Sequence, residues 1–333
     1  MTALPVTCEI DFAAEGRRHG FIRVPHSVTR SAYGFVPVPV ISLRRGAGPK
    51  VVLMAGNHGD EFEGQVVLTR LAAALELDDV AGQLVILPAA NTPAAVAGLR
   101  TSPLDGGNLN RSFTDEAGAT PTSMIAHYLE HVVFDGIDYL LDLHSGGTSL
   151  EYLPTVLAKW GADTVDNDRR RRLLDVLGLP FALLFEADDD TPFATAAAAR
   201  RGGIGLTTEL GGGGRVTPAY VTLIEAGLRR YLREVGVCPN LDTEPAIHEP
   251  RLLYAGGDHQ LVFARASGLF EPVVELGEEV EAGRLGAWIH TPEQPWRESQ
   301  AVYFETAGVV ICQRTLGRAE PGDCLFEIGM PAG

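Results

Sequence analysis

Through the middle of the chain, apolar runs of strand length alternate with longer stretches of helical spacing. KVVLMAG (50–56), QLVILPAAN (83–91), DYLLDLH (138–144), FALLFE (181–186) and GLTTEL (205–210) are the short runs. GQVVLTRLAAALEL (64–77), SMIAHYLEHVVF (123–134) and RRRRLLDVLG (169–178) lie between them, with apolar residues three and four apart. Strands that are apolar throughout need cover on both sides, so the pattern predicts an α/β fold: a mainly parallel sheet with helices on both faces. Residues 20–43 read as extended segments broken by prolines. Ligand sites in such sheets gather at the carboxyl ends of strands.

After YLREVG the pattern changes. VCPNLDTEPAIHEP (237–250) is rich in proline and polar residues, as a linker is. Residues 251–333 lose helical spacing and read as short strands with glycine turns. A faint repeat runs through them: Gly268 to Gly277 followed by EEVEAG, and Gly308 to Gly317 followed by RAEPG. The expected organisation is an α/β catalytic domain over 1–236, a linker over 237–250, and a small all-β sandwich or barrel over 251–333.

Charge narrows the function classes. A formal net charge of −16 over 333 residues argues against nucleic acid, whose phosphates require a basic surface. A few arginines can still make a local pocket for an anion. No apolar run approaches the ~18 residues of a membrane span. The first residues lack the basic start and apolar run of a signal peptide. Cys8, Cys238, Cys312 and Cys324 are widely spaced, as free thiols of a cytoplasmic protein are.

Four segments carry candidate chemistry. In Gly56-Asn57-His58-Gly59-Asp60-Glu61, His58 and Glu61 are three apart, which puts both on one side of a first helical turn, where they can share a metal ion. The same acids also suit a plain helix N-terminus. His144, in Asp142-Leu143-His144-Ser145-Gly146-Gly147, ends an apolar strand. It would complete the two-histidine, one-glutamate set of catalytic zinc, which leaves a fourth position open. Asp142 is either a partner that orients a ligand or an ordinary strand-end residue. Glu209 ends another strand before four glycines, as a proton-transferring carboxylate or as a simple acid ahead of a loop. Between Asn91 and Arg111, Arg100, Asn110 and Arg111 offer a carboxylate a hydrogen-bonding fork, or make surface ion pairs. Surface pairing suits the Arg169–Arg172 and Asp188–Asp190 runs better, and these are assigned no chemistry.

GNHGDE, NLNR, DLHSGG and TELGG, in this order, resemble the succinylglutamate desuccinylase/aspartoacylase family of the zinc carboxypeptidase superfamily. The resemblance spans roughly residues 20–235. PHSVTRSAYGFVPVPV, NTPAAVAGLR and SGLFEPVVELGEEVEAG extend it, most closely toward the subgroup that includes N-α-acetyl-diaminobutyrate deacetylase. It implies a zinc-carboxypeptidase-like fold and one zinc ion per chain, held by His58, Glu61 and His144. Glu209 matches the general base. Asn110 and Arg111 match the pair that binds the substrate carboxylate, and Arg100 the arginine that polarises the scissile carbonyl. No tyrosine could be matched to the one that some members place at the carboxylate.

The implied function is hydrolysis of a small N-acyl amino acid, of N-acetyl-diaminobutyrate, N-acetylaspartate or N-succinylglutamate type, with homo-oligomer assembly as a prior. The alternatives are a carboxypeptidase acting on short peptides and an inactive zinc-binding protein. A biotinyl- or lipoyl-like carrier is excluded for the C-terminal repeat, because no lysine follows Lys159. His127 and His131, four apart on a helical stretch, are read as surface or packing residues.

Overall fold

The computed structural model describes residues 6–114, 118–161, 164–186, 190–246, 248–256 and 259–331. Asp188 and Asp189 of the acidic run lie outside them. The first part of the chain contributes β1 (Thr7–Cys8), β2 (Gly16–Pro25), β3 (Phe35–Arg45), β4 (Lys50–Ala55), α1 (Phe62–Ala74), β5 (Gly82–Leu87), α2 (Thr92–Ala97), α3 (Pro121–Tyr128), β6 (Tyr139–His144), β7 (Leu150–Lys159), α4 (Thr164–Leu177), β8 (Phe181–Phe185), α5 (Ala194–Arg200), β9 (Ile204–Gly212) and α6 (Pro218–Glu234). The five apolar runs read from the sequence form β4, β5, β6, β8 and β9. The three helical stretches fall within α1, the α3 region and α4.

Alternation along the central strands explains why helices cover both faces. Val51, Leu53 and Ala55 of β4, and Tyr139, Leu141 and Leu143 of β6, join one core with Val67 and Leu68 of α1, Leu174 of α4 and Leu228 of α6. Val52, Met54 and Leu140 point the other way, into a second core with Ile125 of α3 and Ala197 and Ala198 of α5. Successive side chains of a strand face opposite sides, so one strand feeds both cores.

The sheet is mixed. Strands β5, β4, β6 and β9 are parallel neighbours. The β2–β3 hairpin extends them antiparallel on one side. On the other side β7 runs antiparallel to β9, where a uniformly parallel order would have continued. Strand β7 was not legible in the sequence. Its segment, LEYLPTVLAK, follows a glycine turn and carries Pro154 mid-strand, a residue that ordinarily marks an edge or a non-strand.

Residues 251–331 add β10 (Arg251–Ala255), β11 (Leu261–Phe263), β12 (Gly268–Pro272), β13 (Glu279–Val280), β14 (Leu285–His290), β15 (Gln300–Tyr303), β16 (Gly308–Arg314), β17 (Arg318–Ala319) and β18 (Cys324–Pro331). The repeat has a structural meaning: β12 pairs with β17 and β16 with β13, so each long strand takes the short strand of the other repeat. Phe270, Ile289, Phe326 and Ile328 lie in the core that this segment builds.

These strands do not stand apart from the central sheet. Strand β10 pairs with β8, β18 with β10, β16 with β18, and β16 with β7, which itself pairs with β8. The five strands β7, β8, β10, β18 and β16 therefore close a ring. Leu183, Leu253, Val309 and Ile311 pack together within it, with Leu157, Phe181 and Ala255 against them.

Candidate metal centre and active site

Strands β4, β6 and β9 end side by side, and the candidate residues collect at that edge. Asp142 and His144 share the strand face of Leu140, and His144 lies in register beside Glu209 of β9. His58 and Glu61 arrive on the turn between β4 and α1. Gly56 adopts a positive φ of 65° at the start of that turn, a conformation that suits glycine. A Cβ on Gly59 would lie 2.0 Å from the carbonyl carbon of Ala94, so only glycine lets α2 approach. Asp60 binds the turn to the loop after β6 by accepting from the Thr148 amide at 2.8 Å.

His58, Glu61 and His144 come together with offered donor atoms all within 4.8 Å of one another, the one such group of three among the described residues. His58 Nδ1 lies 2.6 Å from Glu61 Oε1, and His144 Nδ1 lies 2.8 Å from Glu61 Oε2. All three side chains are almost fully buried. The far ring nitrogens are also held: His144 Nε2 is 2.8 Å from Asp142 Oδ2, and His58 Nε2 is 3.1 Å from Asn108 Oδ1. Asn57 donates to the same Asp142 oxygen at 3.0 Å. Asp142 thus fixes the orientation of the His144 ring.

Each imidazole therefore has an oxygen acceptor at both nitrogens, whereas a neutral imidazole carries a single N–H. A cation held by His58, Glu61 and His144 would resolve this, leaving each imidazole one N–H to donate to Asp142 or Asn108. Two imidazoles and one carboxylate, with outer partners fixing the tautomers, suit zinc. The charges of these groups act on one another. Burial opposes charge on His144, yet the Asp142 and Glu61 carboxylates hold its pKa well above the usual histidine value. Burial likewise opposes charge on Glu61, but His144 and His58 keep its carboxyl well below the usual range.

A pocket of about 300 Å³ opens from this cluster, bounded among others by Arg100, Asn110, Arg111, Tyr152, Glu209 and Glu327. Arg100 reaches within 3.4 Å of Glu61 Oε1. Asn110 Oδ1 accepts from the Ala194 amide, which leaves its NH₂ for the pocket. The Arg111 guanidinium lies 4.6 Å over the Phe193 ring and has no carboxylate partner among the described residues. Partial burial and the neighbouring Arg100 lower its pKa. Glu209 Oε2 is buried with no hydrogen-bond partner. Burial and the Glu61 charge push the Glu209 carboxyl well above its usual range.

The structure brings all seven residues singled out from the sequence to this pocket. Sequence reading missed Tyr152 and Glu327 there, and the contact of buried Asn57 with Asp142 behind it. Glu327 did leave a signal, as a lone carboxylate inside the apolar run LFEIGM. The His127 and His131 rings lie 4.1 Å apart, tilted by 36°, and are not part of the three-donor group. Arg170, Arg171 and Arg172 pair with Asp166, Asp175 and Glu234, the ion pairing read for this run, although Arg170 is largely buried and Arg169 lies over the Tyr139 ring.

Comparison with known proteins agrees with this geometry. The family model of the succinylglutamate desuccinylase/aspartoacylase catalytic domain matches residues 47–235. The chain is 37% identical over 331 residues to the N-alpha-acetyl-L-2,4-diaminobutyric acid deacetylase of Halomonas elongata, covering 97% of this chain and 94% of that protein. Among solved structures, the product-bound ectoine utilization protein EutE (DoeB) from Ruegeria pomeroyi has a TM-score of 0.91 at 35% identity, covering 98% of this chain and 99% of that one. A succinylglutamate desuccinylase/aspartoacylase from Rhodobacter sphaeroides has a TM-score of 0.92 at 32% identity, covering 99% and 100%. The chain belongs to the succinylglutamate desuccinylase/aspartoacylase family.

Proposed function

We propose that this protein is a zinc-dependent amidohydrolase that removes the acyl group from a small N-acyl amino acid of the N-acetyl-diaminobutyrate type. The observation that carries the reading is the convergence of His58, Glu61 and His144 at the edge of a pocket that also holds an unpaired Arg111 and an unpartnered Glu209 oxygen. In this reading His58, Glu61 and His144 hold the ion. Bound zinc supplies a Lewis acid and brings the pKa of water to ~7.

The other roles fall to the chain's own residues. Glu209 accepts the proton of the attacking water through its free Oε2 and delivers it to the leaving nitrogen. Arg100 faces the oxygen on which negative charge develops. Arg111, with the Asn110 NH₂, binds the substrate carboxylate and so aligns the scissile amide. The water oxygen ends on the acyl carbon, the C–N bond breaks, and the products are a carboxylic acid and a free amine.

The pocket volume, about 300 Å³, stands at the lower end for ligand sites and favours a small molecule over a peptide. A hydrolysis screen with zinc-loaded protein tests the reading. It should span acetyl, succinyl and formyl amides of diaminobutyrate, aspartate and glutamate, with short peptides alongside. Release of amine from an acyl amino acid supports it, and turnover of peptides alone replaces it with the carboxypeptidase reading.

A further inference from the structure

One wall of the pocket is built where β7 meets strands from the C-terminal part of the chain. Tyr152 of β7 pairs with Cys312 of β16, and Cys312 with Glu327 of β18. Along β18, Phe326 and Ile328 join the C-terminal core, so Glu327 and Gly329 take the other face. A Cβ on Gly329 would stand 2.5 Å from Leu253 Cδ1 and 3.2 Å from Ile311 Cγ2. That places the Gly329 face inside the five-stranded ring, and Glu327, two residues earlier, at the mouth where the ring meets the pocket.

Glu327 accepts a hydrogen bond from the Tyr152 hydroxyl at 2.7 Å and has no cationic partner among the described residues. Leu157, Leu183 and Ala255 supply apolar walls beside it. An acid held there is costly unless a cation meets it, because buried charges require partners. Burial indeed pushes its pKa up, with the Tyr152 hydrogen bond only partly opposing the shift. Apart from Glu209, the pocket thus contains two poles with no ion partner among the described residues, the Arg111 guanidinium and the Glu327 carboxyl, on separate elements.

We infer that Glu327, held by Tyr152, is the specificity residue that receives a primary ammonium on the side chain of the acylated amino acid, while Arg111 receives its carboxylate. The inference rests on the deacylase reading and narrows it. Substrates whose side chain ends in a carboxylate would meet Glu327 as a like charge, so the site selects a zwitterionic amino acid over an acidic one.

Three substrates with a common two-methylene stem test this: N-α-acetyl-2,4-diaminobutyrate, N-acetylnorvaline and N-acetylglutamate. Wild-type kcat/KM is expected to favour the ammonium substrate by about 10–100-fold, the range of one hydrogen bond to a charged group. Glu327→Gln keeps an acceptor for Tyr152, and its preference for ammonium over norvaline should collapse, chiefly through KM. A thermal melt confirms that the variant is folded. An equal loss on all three substrates, or an intact preference, overturns the assignment while leaving the deacylase reading standing.

If wild-type protein hydrolyses none of them, the deacylase reading fails instead, and calorimetric titration with 2,4-diaminobutyrate decides the Glu327 assignment separately. Binding about 10–100-fold weaker to Glu327→Gln than to wild type sustains it. Equal affinity, or no binding to wild type, refutes it.

Discussion

Among the carboxylates of the pocket, neighbours set the division of labour. Glu61 lies between two imidazoles and stays ionised; Glu209 lies beside Glu61 in a desolvated wall and is pushed toward the protonated form. Replacing Glu209 by Gln removes only the proton-transfer group, so zinc content should be unchanged while kcat falls ~10²–10⁴-fold. Steady-state assays paired with metal analysis check both halves. Asp142 acts through His144, and Asp142→Asn is expected to weaken zinc affinity ~10–100-fold, measurable by competition with a chelator. His58, His144 and Glu209 were legible because each follows a strand-like run and has a glycine within two residues, and Glu61 because it lies three residues after His58. Asp142 was ambiguous because nothing in DLH says whether the two side chains share a strand face and touch. Glu327 was hidden because its place in the pocket depends on ring closure between segments far apart in sequence.

Among elements, the loop that carries Asn108, Asn110 and Arg111 is fixed by one acid. Asp105 accepts from the Thr122 amide and hydroxyl, both at 2.8 Å, and from the Gly107 amide at 3.0 Å. It thereby ties the loop to the first turn of α3. Burial acts against the charge, but these donors outweigh it and hold the Asp105 pKa below its usual value. A depressed carboxylate contributes stability that is fully present above the ordinary value near ~3.9 and is lost as pH falls through the folded value. Asp105→Ala should therefore cost about 1–3 kcal/mol at pH 7. The gap from wild type, read from urea midpoints, should narrow only below about pH 4. A constant gap down to pH 2 would show that charge on Asp105 is irrelevant. Within the ring, Gly329→Val forces a branched side chain against Leu253. Overpacking of this kind costs about 1–3 kcal/mol, and denaturation midpoints measure it directly.

For the whole molecule, the α/β layers were readable from the alternation of strand-length and helix-length patterns, since local sequence decides both. The continuity of the sheet was not readable. Residues 251–331 look self-contained in sequence, with their own turns and repeat, yet β10, β16 and β18 close the ring with β7 and β8. A chain ending at residue 236 would leave β8 with an unpaired edge and uncover Leu157 and Leu183. Exposed apolar edges of this kind template aggregation. Such a truncation is expected to be insoluble or unfolded, as far-ultraviolet circular dichroism and size-exclusion chromatography would show; a soluble, active fragment would mean that the ring is dispensable. The same closure supplies Tyr152 and Glu327 to the pocket, which links the architecture to substrate choice.

The most direct measurement of the central claim is zinc content by mass spectrometry of the purified, zinc-loaded and desalted protein, compared with His144→Ala. One equivalent per chain in the wild type and a stoichiometric loss in the variant are expected, with both proteins folded by circular dichroism. Retention of a full equivalent by His144→Ala, or none in the wild type, would contradict a metal centre built from His58, Glu61 and His144.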